Sequence, residues 1–99
     1  MDKRKRSHDL DAFKAAFARH RAITTTAAKS ALALGCGVDD VVDIVQTIEP
    51  RHFVKSTTSK SNHKQWQDVY HIPQGGLVLH LKFTDQIVTE FVLLSFKEK

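Results

Sequence analysis

At Pro50 the apolar residues of this chain change their spacing. Before it they recur at the three- and four-residue intervals that mark one face of a helix, and after it they alternate, as on a half-buried strand. The two periods do not share one backbone geometry, so a helical half is expected to precede a strand-rich half and to cover one side of it. That order predicts an α+β fold, with N-terminal helices packed on a C-terminal, mainly antiparallel sheet. At 99 residues the chain has material for one core, and two would each be too small.

Three helices are legible. Asp9 is placed to cap the first, in which Leu10, Phe13 and Phe17 recur at helical spacing while Lys14 and Arg19 turn to water. Thr24, Thr25 and Thr26 offer hydroxyl caps for an alanine-rich helix through Leu34, stopped by Gly35 and again by Gly37. In the third, Asp39 is the expected cap, Val41, Ile44, Val45 and Ile48 form the apolar stripe, and Pro50 ends it. Asp39, Asp40 and Asp43 in its first turn offset the helix dipole by ~0.3–1 kcal/mol each, which explains them better than a paired-carboxylate active site does.

Strands are expected at 52–57, 67–72, 77–84 and 87–97, with Gly75-Gly76 and Asp85-Gln86 as hairpin turns. Alternation sets Leu77, Leu79, Leu81 and Phe83 on the core face, and Val78, His80 and Lys82 on the other. It likewise groups Trp66, Asp68, Tyr70 and Ile72 on one side, opposite Gln67, Val69 and His71. Trp66 is expected to pack on the sheet more than to stack on a base.

Fifteen Lys and Arg against eleven Asp and Glu give a formal charge of +4. With three acids absorbed by one helix start, the remaining surface is more cationic than the total suggests, which favours a polyanionic partner. Residues 1–8, with Lys3, Arg4, Lys5 and Arg6, read as a mobile basic tail preceding a single domain over 9–99. Such a tail is usually just solvated, although an RNA anchor or a nuclear address has the same composition. Cys36 is the lone cysteine, so no intrachain disulfide and no cysteine-based zinc site is expected, and the six histidines form no HxxxH pair. No apolar run approaches the roughly 20 residues of a membrane helix, and MDKRKR leads into charged sequence. A soluble cytoplasmic protein without metal or cofactor is the expectation.

Between Arg51 and His71 the chain concentrates Arg51, Lys55, Lys60 and Lys64 with His52, His63 and His71, against the single acid Asp68. Trp66 and Tyr70 interleave with these cations, a composition suited to RNA, whose phosphates take the charge and whose unstacked bases take the rings. Lys60, His63, Lys64, Tyr70 and Lys82 are the candidate RNA-binding residues.

The motifs HFVKS, the loop with Asn62 and His63, WQDVY, LHLKF and the terminal SFKEK, in that order, resemble the motility quorum-sensing regulator (MqsR) toxin family over nearly the whole chain. WQDVY and SFKEK are the distinctive parts. The resemblance implies a RelE-like ribonuclease toxin of a type II toxin-antitoxin pair. It would cleave messenger RNA at short GC-containing sequences and be restrained by a cognate antitoxin. Carried across motif by motif, the family's catalytic positions fall on Lys55, Gln67 and Lys97. One position departs from the pattern, since His80 stands where the family motif has tyrosine.

Those residue types suit the implied chemistry. RNA cleaves when its 2′-hydroxyl attacks the adjacent phosphorus, given a base, cations around the phosphorane and an acid at the leaving oxygen. Lys55 and Lys97 can form the cationic clamp, and repulsion between nearby lysines lowers a pKa toward proton-transfer range. His80 titrates near neutrality and is the candidate acid or base. Gln67 can only hydrogen-bond, to a phosphate oxygen, the 2′-hydroxyl or a base edge. Two other readings use the same surface: a non-catalytic RNA-binding module, and a regulatory protein that docks an acidic partner.

Overall fold

The computed structural model describes residues 1–99. Helices α1 (Leu10–His20), α2 (Thr25–Ala33) and α3 (Val38–Gln46) follow a short strand β1 (Asp2–Lys3). A single 3-10 turn (Pro50–His52) then leads into β2 (Phe53–Thr58), β3 (Trp66–Gln74), β4 (Leu77–Gln86) and β5 (Glu90–Glu98). The five strands form one sheet in chain order, each antiparallel to its neighbour. The architecture is α+β, helices first, as the change of period at Pro50 requires.

Local chemistry starts each helix. The Asp9 side chain accepts from the Ala12 amide, and Thr24 Oγ1 accepts from Ala27. Gly35 ends the second helix region at φ 82°. For α3 the cap is Gly37 and not Asp39: Asp40 reaches back to the Gly37 amide at 2.9 Å, leaving Asp39 free to pair with Arg21. Pro50 also acts later than expected. α3 closes at Thr47, and the proline opens the 3-10 turn.

One face of the sheet is sealed by the helices. Phe13 and Phe17 of α1, Ala27 and Ala31 of α2, and Val41, Ile44 and Val45 of α3 pack on Tyr70, Ile72, Leu79, Leu81, Phe83, Leu93 and Phe96. At its centre the Phe13 and Phe83 rings stack, with centroids 3.7 Å apart. Leu77, the first of the expected inward row, is exposed because it directly follows the turn at the sheet's end.

Two turns set the register. Gly75 and Gly76 both take positive φ, 55° and 86°, as a two-residue hairpin turn of the primed type demands. The β4–β5 connection departs from expectation: Asp85 and Gln86 stay in β4 opposite Phe91 and Glu90, and residues 87–89 make the turn. Glu90 then takes a left-handed φ of 67°, and a bulge between Lys82 and Phe83 resets the pairing.

The basic N-terminal segment, read from composition as a mobile tail, is placed along the β2 edge of the sheet. Asp2 and Lys3 pair with Thr57 and Ser56, and the Lys3 ammonium sits 4.1 Å from the Trp66 ring centroid. The reason lies in β3. Asp68 is wholly buried, and its carboxylate accepts the amides of Ser7 at 3.1 Å and His8 at 2.9 Å. Ser7 Oγ meets Ser56 Oγ at 2.6 Å, and His8 Nε2 lies 2.8 Å from the Trp66 carbonyl. Charge repulsion among Lys3, Arg4, Lys5 and Arg6 is outweighed by one anion that this segment alone satisfies.

Candidate active site on the outer face of the sheet

The face of the sheet away from the helices collects the chemistry-bearing side chains, and strand register decides which of them meet. Lys55 stands opposite Val69, Val69 opposite Lys82, His71 opposite His80, and His80 opposite Lys97. Neighbouring strands lie about 4.8 Å apart and same-face residues on one strand roughly 7 Å apart. Lys55, Lys82, His80 and Lys97 therefore share one patch drawn from three strands.

A cleft of about 630 Å³ opens over Lys55, His80 and Lys97 of that patch, with Lys82 beside it and outside its lining. Its floor is Val69, His71 and His80, and its walls carry Lys55 and Lys97. Lys99 lies at the C-terminal side, while β1 and the residue after it supply Asp2, Lys3 and Arg4. Five cationic side chains line the space against two carboxylates, those of Asp2 and Glu98. Asp2 already engages one of the cations, with its Oδ2 3.2 Å from Lys55 Nζ. A hydrogen bond from Thr57, then Lys55, holds the Asp2 carboxyl below its ordinary pKa.

The two histidines are in direct contact. His71 Nε2 and His80 Nδ1 are 3.0 Å apart, a hydrogen bond whose donor is set by tautomer. Burial, followed by the charge of His71, Lys97, Lys82 and Lys55, pushes His80 down to about 4. His71 is lowered too, by burial and then by Lys99 and Lys55. Lys82 is half-buried and lowered by burial, then by Lys97 and Lys55. The lysine carrying this depression is one that the sequence reading had given to RNA binding.

Gln67 lies on the same outward face, opposite Thr57, but beyond Val69 and outside the cleft lining. Lys60, His63 and Lys64 are exposed on the β2–β3 connection, also outside it. That connection is shaped by Asn62, whose Oδ1 accepts the Lys64 amide at 2.9 Å. Tyr70 is a correction. It is wholly buried on the helix side, its ring against Phe53 and Phe83, and offers no surface to a base. Alternation had already grouped it with Asp68 and Ile72, and all three face the core.

A family model described as "Motility quorum-sensing regulator, toxin of MqsA" matches residues 5–98. The chain belongs to the MqsR toxin family. It is similar to the mRNA interferase toxin MqsR of Escherichia coli (strain K12), with 33% identity over 76 residues, which is 77% of this chain and 76% of that protein. Within this MqsR-family chain, His71, Lys3, Arg4 and Lys99 were not among the site residues read from sequence. The signal for His71 was present: a two-residue turn at Gly75-Gly76 pairs residues symmetrically about it, which sets His71 across from His80. No comparable signal exists for Lys3 and Arg4, which enter the cleft only because Asp68 anchors the residues after them.

Proposed function

We propose that this MqsR-family toxin is an endoribonuclease that cleaves messenger RNA by attack of the 2′-hydroxyl on the adjacent phosphorus. The observation that carries the reading is the convergence of Lys55, His80 and Lys97 in one cationic cleft, although they lie far apart in sequence. Lys55 and Lys97 bind the scissile phosphate and stabilise the phosphorane, with Lys3 and Arg4 holding the adjoining backbone. Phosphate takes over Lys55 from Asp2 as it enters.

His80 is neutral at pH 7 by virtue of its depressed pKa, so it acts as the base toward the 2′-hydroxyl and not as the acid. Lys82 serves as acid at the 5′-oxygen, because an ammonium held below its ordinary pKa gives up its proton more readily. Gln67, one same-face step along β3, hydrogen-bonds the neighbouring nucleotide. Lys60, His63 and Lys64 contact the RNA as it leaves the cleft. A lining with five cations repels a divalent ion, which supports a mechanism without metal. Preference for short GC-containing sequences, restraint by a cognate antitoxin and a cytoplasmic site of action follow from the family resemblance. The name of the Escherichia coli relative, an mRNA interferase toxin, agrees with this activity.

The test is single-turnover cleavage by Lys55→Ala and Lys97→Ala. Each is expected to lower the rate at least about tenfold while RNA affinity changes by about threefold or less. Parallel loss of binding and rate would instead describe an RNA-binding module without chemistry.

A further inference from the structure

We propose that His71 is a positioning residue for this reaction: through the hydrogen bond between its Nε2 and Nδ1 of His80, it determines which nitrogen of His80 meets the 2′-hydroxyl, and in what protonation form. The inference rests on the nuclease reading above and deepens it. The two residues are paired across β3 and β4, their ring centroids 5.1 Å apart and tilted by 49°, with 3.0 Å between the facing nitrogens. With Nδ1 committed to His71, Nε2 is the nitrogen of His80 left for substrate.

Two neutral imidazoles share one N–H across such a contact. If His71 donated, Nε2 of His80 would carry hydrogen and could not act as a base. If His80 donates, Nε2 holds a lone pair. The surroundings favour the second form. The face presents Lys55 from β2, Lys82 from β4, Lys97 from β5 and Lys99 just after it, all of them donors without acceptors. Lys3 and Arg4 also line the cleft, and of its two side-chain carboxylates, Asp2 and Glu98, Asp2 is bound to Lys55. The depressed proton affinity of both rings agrees with a neutral pair.

The proton count then closes. The 2′-oxygen forms its bond to phosphorus as its proton passes to Nε2 of His80. The bond from phosphorus to the 5′-oxygen breaks as that oxygen takes a proton from Lys82. The Nδ1 hydrogen of His80 can move onto Nε2 of His71, so the acquired positive charge is spread over two rings. Loss of that proton to solvent and uptake of one by Lys82 restore the starting state.

The experiment combines long-range nitrogen–proton NMR of the imidazoles with the pH dependence of single-turnover cleavage of a GC-containing oligoribonucleotide, for the wild type, His71→Phe and His71→Gln. In the wild type His80 should show a single dominant tautomer, hydrogen on Nδ1. His71→Phe should mix the tautomers, cut kcat about tenfold or more with KM within about twofold, and move the acidic limb of the rate profile upward in pH, because the ring that becomes charged beside His80 on acidification is gone. His71→Gln, whose amide oxygen can accept from Nδ1, should keep the tautomer and recover most of the rate. A purely structural role would leave the limb where it was. Should the phenylalanine variant misfold, loss of the tautomer preference and no shift of the limb in the glutamine variant would overturn the inference. A wild type that cleaves, with His71→Phe matching it in rate and limb, sinks the inference alone. A wild type that does not cleave, whatever its tautomer, sinks the nuclease reading and the inference with it.

Discussion

His80 sits between a histidine on one neighbouring strand and a lysine on the other, and this placement governs its proton affinity. The folded-state value near 4 lies below the 6.5 of an exposed histidine. Between those values the unfolded chain binds the extra proton, so stability rises with pH across the window and the loss is complete below about pH 4. Because the ring is only half-buried, solvent screening reduces the effect to about 1–2 kcal/mol. Urea unfolding from pH 4 to 7 should therefore show a steeper pH dependence for the wild type than for His80→Gln. Parallel curves would show that His80 is not perturbed. The family resemblance pointed to Lys55 and Lys97 and to the position of His80, whereas the depressed lysine, Lys82, depends on how deeply β4 is covered. Burial of that kind is a tertiary quantity and leaves no local pattern.

Among the elements, β3 connects the two faces. Its inward residues Asp68, Tyr70 and Ile72 hold the N-terminal segment and the core, while Gln67, Val69 and His71 face outward, the last two into the cleft. The alternation of WQDVY made this division legible, although it did not say which side meets the core, and Tyr70 was read as facing RNA. What composition concealed was the role of Asp68. A single acid amid cations reads as a solvated charge, yet it is the anchor for β1 and so for one wall of the cleft. Asp68→Ala should strand the Ser7 and His8 amides and destabilise the protein by about 3 kcal/mol. The expected fall in thermal midpoint is roughly 10–20 °C, with fast amide exchange at residues 2–8. A drop of a degree or two with unchanged exchange would mean that the segment is held by something else. The β4–β5 hairpin was legible as a hairpin and not in register. Its turn lies at 87–89 and its bulge follows Lys82, so the placement of Lys97 across from His80 could not be counted from an Asp-Gln turn.

For the molecule as a whole, the fold follows from periodicity: helical spacing before Pro50 and alternation after it give helices sealing one side of an antiparallel sheet. The side left uncovered gathers positive charge from β1, β2, β4 and β5 around two histidines whose proton affinity is lowered. That division of the sheet into an apolar face and a cationic face is the basis of the proposed activity, in which lysines and a histidine do the work that a divalent ion does elsewhere. The chemistry of the cut ends tests this most directly. Purified protein incubated with a GC-containing RNA in excess EDTA should still cleave it, leaving 2′,3′-cyclic phosphate and 5′-hydroxyl ends. Cleavage abolished by the chelator and restored by magnesium, or products ending in 3′-hydroxyl and 5′-phosphate, would contradict the account.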